Sequence, residues 1–348
     1  MIETSLRSVE DLKAAGLVAA GATDALDEVA ARYAIALTPT VASLINPNDP
    51  NDPIAAQYVP QPAELIETAG ERADPIGDHT HSPVEGIVHR YPDRVLLKLV
   101  HVCPVYCRFC FRREMVGPQG DGSMSPEQLS IAFDYIRSHP EIWEVILTGG
   151  DPLILSPRRL RDVMRTLSTI EHVKIVRIHT RVPAVDPARV TAELIDALNA
   201  SEKTVYVALH ANHPREMTPE VRAACAWLID AGLTMVSQSV LLKGINNNAD
   251  TLAELMRAFV ETRIKPYYLH HPDMAPGTGH FRLPLSEGQA IMRELRSKVS
   301  GLCIPHYILD LPGGFGKVSV GENALSETAP ERYTIVDRHG DEHAYPEN

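Results

Sequence analysis

The chain has 348 residues, an apolar fraction of 44%, a net charge of −12 and a pI near 5.7. That length allows one large α/β domain with accessories or two ordinary domains, and the negative charge argues against nucleic acid or an anionic membrane surface as the main partner. No apolar run reaches the roughly 18 residues of a membrane span, and Met1 to Gly16 mixes acids and bases without the apolar core of a signal peptide, so the chain reads as cytoplasmic.

Residues 8–45 read as helical. Ser8 is a candidate N-cap with Glu10 and Asp11 in the first turn, and ATDALDEVAARYAIALTPTVASLI carries helical periodicity as far as Pro39. NPNDPNDP (46–53) is too dense in Asn, Asp and Pro for helix or strand and marks a linker or wrapping loop. Irregular, proline-rich chain then continues to about Val88. From Arg94 the character changes. RVLLKLV (94–100) is a near-continuous apolar run, as a buried parallel strand requires. WEVILTG (143–149), VKIVRIHT (173–180), TVYVALH (204–210), LTMVSQSV (233–240) and KPYYLHH (265–271) follow it. Amphipathic helix candidates lie at 125–138, 156–168, 187–199, 217–231, 249–262 and 286–299. Strands alternating with helices imply βαβ units and a parallel sheet. Six such units predict an α/β fold, a partial (β/α)6 TIM-like barrel with its chemistry at the C-terminal ends of the strands. We divide the chain into an N-terminal helical and wrapping extension (1–88), the barrel (89–300) and a C-terminal segment (301–348).

Three of the five cysteines, Cys103, Cys107 and Cys110, fall in HVCPVYCRFCFRRE with CxxxCxxC spacing, directly after the first barrel strand. Disulfide scaffolds spread and pair their cysteines, whereas a tight cluster indicates a metal site. A [4Fe–4S] cluster is held by cysteine thiolates, normally four. Three would leave one iron open to a small molecule. The competing reading is structural zinc, which wants four closed ligands, with His101 as the candidate fourth. Tyr106 and Phe109 are placed to shield a cluster, and Arg108, Arg112 and Arg113 supply positive charge. Cys225 and Cys303 read as core.

After the second strand, LTGGDP presents Gly149, Gly150 and Asp151. Two glycines there let backbone approach a ligand closely, although alone they also make a tight βα turn. Arg181, His210 and Gln238 each end a strand on the same expected face, as ligand contacts or as hydrogen-bonded structure. Lys317 closes LPGGFGK (311–317) in a chain with only eight lysines. The glycines before it suggest a phosphate-cradling backbone nest, but the spacing is not that of a Walker A loop. A lysine on such a turn forms a Schiff base with pyridoxal phosphate (PLP) in some enzymes; the plain alternative is a solvated lysine on a glycine loop.

CxxxCxxC followed one βα unit later by GGDP resembles the radical S-adenosylmethionine (SAM) superfamily. From about residue 35 to 335 the chain resembles the lysine 2,3-aminomutase family. The shared stretches are LTPTVASLINPNDPNDP, HRYPDRVLL, FRR after the cysteines, GGDPL, YYLHHPD with GHFRLP downstream, and ILDLPGGFGK. The resemblance implies a radical SAM barrel with a C-terminal segment carrying a PLP lysine. It implies a [4Fe–4S] cluster on Cys103, Cys107 and Cys110, and SAM at Gly149, Gly150 and Asp151, where Asp replaces the usual Glu. Gln238, Arg181 and His210, read from their place at strand ends rather than from the resemblance, are the further candidates for cofactor binding, with hydrogen-bonded structure as the alternative. The resemblance puts PLP on Lys317, with Arg90, Tyr91 and Arg94 at its phosphate, and arginine suits phosphate bidentately. It assigns Asp273 and Asp310 to the ε-ammonium of lysine and Arg112 to its carboxylate.

The implied activity is that of an isomerase interconverting L-lysine and β-lysine by 2,3-migration of the amino group, with an external one-electron reductant and a homo-oligomeric assembly. Larger family members end in a cysteine-rich, zinc-binding tail. Residues 320–348 have no cysteine and Asn248 stands at another zinc-ligand position, so no structural zinc is expected. The competing readings are an aminomutase for arginine or glutamate, a radical SAM enzyme without PLP, and a non-enzymatic metal-binding protein.

Overall fold

The structure is a computed structural model that describes residues 4–18, 23–117, 122–321, 325–329, 332–337 and 341–345. Four short helices precede the barrel: α1 (Val9–Ala14), α2 (Thr23–Arg32), α3 (Pro39–Leu44) and α4 (Pro53–Tyr58). The continuous helical reading of 8–45 is therefore corrected. Gly16, with φ of +69°, follows α1 in a conformation that favours glycine, and Leu6 pairs with Leu37 in an antiparallel bridge. Pro39 starts a helix, with Thr38 as its side-chain cap. The 46–53 loop likewise ends by nucleating α4. The Asp52 carboxylate accepts from Ile54 N and Ala55 N and pairs with Arg215.

A nine-stranded sheet carries the fold, its strands ordered as in the chain. They are β1 (Ile87–Tyr91), β2 (Arg94–Val100), β3 (Glu144–Gly149), β4 (Ile175–Thr180), β5 (Thr204–His210), β6 (Thr234–Val240), β7 (Lys265–His270), β8 (His306–Leu311) and β9 (Gly316–Ser319). β2 to β8 run parallel, while β1 and β9 pair antiparallel at the edges. The six strands read from the sequence are β2–β7, and β8 extends the parallel array by one. Residues 301–321 thus contribute β8 and β9 to the same sheet. A separate antiparallel sheet follows, β10 (Leu325–Ala329), β11 (Arg332–Val336) and β12 (Glu342–Tyr345).

The crossover helices are α5 (Pro126–Ser138), α6 (Pro157–Ser168), a turn α7 (Val182–Val185), α8 (Ala192–Leu198), α9 (Pro219–Asp230), α10 (Ala249–Glu261) and α11 (Leu285–Lys298). Three of them begin with Ser or Thr followed by Pro: Ser125, Ser156 and Thr218 accept a backbone N–H from inside the first turn. Asn248 caps α10 by accepting from Thr251 N. Strand side chains alternate. Val95, Leu97, Leu99, Val145, Leu147, Val176 and Ile178 are buried in the hydrophobic core. Their neighbours Leu96, Ile146, Thr148, Arg177 and His179 line a cavity instead. Each buried aliphatic side chain contributes about 1.5–3 kcal/mol, so the outward layer fixes register and the inward layer is left for chemistry. Among the described residues no helix is long and apolar enough to cross a membrane.

Candidate active site

The cavity inside the sheet has a volume of about 430 Å³, within the range of small-molecule sites. Cys103, Cys107 and Cys110 front one part of it, and Lys317 fronts another. The three cysteines and every residue assigned from the sequence to SAM, PLP or substrate line this one cavity, whereas His101, Tyr106, Arg108 and Arg113 do not.

The cysteine loop leaves the end of β2 and is held against the β3 turn. A Cβ on Gly149 would lie 2.2 Å from Val100 O, and one on Gly150 would lie 2.2 Å from Val102 O. Gly150 N donates to Val100 O at 2.6 Å and Asp151 N to Val102 O at 3.0 Å. The close approach that these glycines permit is thus to the chain entering the cysteine loop, a partner not anticipated from the sequence. The Asp151 carboxylate accepts from Leu153 N, Thr180 Oγ1, Arg181 N and Val182 N at 2.7–3.2 Å. It ties the end of β3 to the end of β4. Burial pushes its pKa up, although these donors oppose that.

Arg181 donates to Cys107 Sγ at 3.0 Å, and its other terminal nitrogen reaches Gln57 and Glu216 at 3.1 Å each. Burial pushes the Cys110 thiol up to about 11 and the Cys103 thiol well above its ordinary value. Buried thiols lose their protons when a metal centre supplies positive charge, and a guanidinium donating to sulfur is a recognised way of tuning a cluster. The donor set fits a cysteine-ligated iron–sulfur cluster. Of the three nearby arginines, only Arg112 faces the cavity. Arg108 and Arg113 turn away onto the buried Glu64, with Arg108 Nε at 3.0 Å from it. Positive charge beside the cysteines comes from Arg112 and Arg113, both of which act on Cys110, and from Arg181, a source the sequence did not point to, while Arg108, expected there, is engaged by Glu64. Phe109 lines the cavity, while Tyr106 faces a smaller pocket behind the cysteine loop.

The edge strands close on each other through side chains. Lys317 N donates to Tyr91 OH at 2.8 Å, and Arg94 stacks on the Tyr91 ring at 3.9 Å. Lys317 Nζ donates to Asp310 Oδ2 at 2.6 Å. Arg90 joins Asp310 Oδ1 at 3.3 Å to Asp78 Oδ1 at 3.0 Å, and Arg112 Nε donates to Asp78 Oδ2 at 2.9 Å. Lys317, Asp310, Arg90, Asp78 and Arg112 thus form a chain of alternating charge. The glycines before Lys317 serve chain packing here. A Cβ on Gly314 would meet the His81 ring at 2.7 Å, and one on Gly316 would meet Tyr91 OH at 3.1 Å. Asp273, after β7, has its pKa raised to about 7 by burial and by the neighbouring Asp310. Lys317, Arg112 and Arg90 act on this partly buried carboxyl but do not offset burial and Asp310.

On β4, β5 and β6 a third group forms. Gln238 Nε2 lies 3.1 Å from His179 Nε2, and its Oε1 lies 3.3 Å from His210 Nε2. Burial and Arg181 push His210 down to about 4, and burial and Arg177 hold His179 well below its ordinary value. Both shifts favour the neutral imidazole, and the two rings form hydrogen-bonding walls with Gln238 between them. His179, Asp78, Gln57 and Glu216 escape a motif search. His179 alone carried a signal, since it precedes Arg181 by two residues in a strand whose alternate side chains face inward.

An open parallel barrel with three cysteines on the loop after its first parallel strand defines a radical SAM protein, and residues 97–256 match the Radical SAM superfamily. Such proteins use a [4Fe–4S] cluster and SAM. The chain belongs to the lysine 2,3-aminomutase family, a family of isomerases. It is 40% identical to L-lysine 2,3-aminomutase of Clostridium subterminale over 334 residues, covering 96% of this chain and 80% of that protein. It is also 38% identical to glutamate 2,3-aminomutase of Clostridioides difficile, covering 84% of this chain and 68% of that one. Among solved structures, a radical SAM methyltransferase from Sphaerobacter thermophilus aligns with a TM-score of 0.44 and 18% identity, over 64% of this chain and 67% of that one.

Proposed function

We propose that the protein interconverts L-lysine and β-lysine by moving the amino group between C2 and C3, with PLP anchored on Lys317. The observation that carries this is the Lys317–Asp310 ion pair at 2.6 Å in the same cavity as Cys103, Cys107 and Cys110. When bound, SAM on the cluster supplies a 5′-deoxyadenosyl radical, and PLP supplies a conjugated ring through which nitrogen moves between adjacent carbons.

The protein's own residues orient and enclose. Arg90, Arg94 and Tyr91 offer two guanidiniums and a phenol to a phosphate. Arg112 faces the substrate carboxylate. Asp310 and Asp273 face a distal ammonium, and the raised pKa of Asp273 supports the reading that the cations around it leave room for one more. Gly149, Gly150 and Asp151 hold the cysteine loop and offer backbone to SAM, while Arg181, His210 and Gln238 line the same side. Two carboxylates at the distal position favour lysine over glutamate, whose own side-chain carboxylate would be repelled there.

The test is mass spectrometry of the products formed from L-lysine, L-arginine and L-glutamate with SAM, PLP and a strong reductant under anaerobic conditions. β-Lysine as the dominant product supports the assignment. Turnover of glutamate without lysine overturns it. An external one-electron donor is part of the proposal, and so is a homo-oligomeric state.

A further inference from the structure

We infer that Asp78 is a positioning residue that yokes Arg90 to Arg112, so that the phosphate end of the cofactor site and the carboxylate end of the substrate site are set by one buried carboxylate. This rests on the proposed function. The side chain of Asp78 is fully buried. Each of its oxygens takes a different guanidinium: Oδ1 accepts from Arg90 at 3.0 Å and Oδ2 from Arg112 at 2.9 Å. A buried carboxylate between two arginines fixes both side chains while leaving other N–H groups on each for a ligand.

The loop is itself held. Asp74 accepts from Asp78 N and from His79 N, both at 2.8 Å. The same loop grips the Lys317 turn: Gly313 N donates to Pro75 O at 3.3 Å, and His81 Nε2 lies 3.1 Å from Gly314 O. A Cβ on Gly77 would fall 2.7 Å from Gly314 N. One short segment of the N-terminal extension therefore sets both arginines and the turn that carries the lysine.

The test compares wild type, Asp78→Asn and Asp78→Glu, each carrying its cluster. PLP affinity is read from the absorption band of the lysine-bound cofactor, and KM and kcat from product formation. L-lysine is compared as a ligand with 1,5-diaminopentane, which lacks the carboxylate. Losing charge-assisted hydrogen bonds to both arginines should weaken PLP roughly tenfold or more and raise the KM for L-lysine by a similar factor, with kcat less affected. 1,5-Diaminopentane should lose less affinity than L-lysine, and Asp78→Glu should recover both affinities. A folded Asp78→Asn protein with unchanged PLP and L-lysine affinities overturns the inference, as do equal losses for L-lysine and 1,5-diaminopentane. Should Asp78→Asn fail to fold, Asp74→Asn loosens the loop with the Asp78 charge intact. The two affinities should then fall together, and movement of one alone, or of neither, overturns the yoke. If wild type shows no lysine-bound cofactor band, the proposed function fails and takes this inference with it. If wild type behaves as proposed and the variants do not, only the yoke fails.

Discussion

Replacing Asp273 by Asn should stabilise the ligand-free protein and weaken its substrate at the same time. The carboxyl ordinarily titrates near 3.8 and is raised to about 7 by burial and by Asp310. Between those values the unfolded chain is ionised while the folded one resists, so the destabilisation grows from pH 4 to 7 and is constant above. Three pKa units bound the effect at about 4 kcal/mol. The cavity admits water, so we expect about 2 kcal/mol. Anaerobic melts of wild type and Asp273→Asn, prepared alike without ligands, should show a higher Tm for the variant at pH 8 and a smaller difference at pH 5. L-lysine should bind the variant roughly tenfold or more weakly, because its ammonium loses one charged partner. L-norleucine has no distal ammonium and should bind both proteins alike. A variant less stable than wild type at pH 8, or equal losses for lysine and norleucine, would refute the reasoning.

Other substitutions separate the parts of the site. Lys317→Ala should abolish the absorption band of lysine-bound PLP while leaving iron content at the wild-type level, as checked by spectroscopy and iron analysis. Gly150→Ala places a methyl 2.2 Å from Val102 O. It should lower iron per chain and cost about 3 kcal/mol or more, because backbone cannot yield as a side chain does; iron assay and melts report both. Glu64→Gln strips the buried partner from Arg108 and Arg113 and should cost about 3–5 kcal/mol in chemical denaturation.

The barrel was legible because its strands are apolar runs separated by helix-length spacers, and the cysteine loop because ligand spacing is local. The parts that were not legible are long-range. Arg108, Arg112 and Arg113 look alike in RFCFRRE, yet the turn sends two of them to Glu64 and one to the cavity. Gln57 and Glu216 are 159 residues apart and meet only because α4 wraps back onto the barrel. Asp78 sits in a proline-rich stretch with no periodicity, so nothing local distinguishes it from a surface acid. Leucine and alanine periodicity ran through 8–45, but glycine at 16 and the cap at Thr38 divided it. Local patterns of apolar residues report elements well, whereas buried charge networks are fixed by which loops pack together.

The most direct measurement follows deuterium from L-lysine labelled at C3, incubated anaerobically with SAM, PLP and reductant. Deuterium recovered in 5′-deoxyadenosine and in β-lysine is the result predicted for a radical source and an anchored amino acid facing each other in one chamber. Formation of 5′-deoxyadenosine free of label, with lysine returned unchanged, would contradict it.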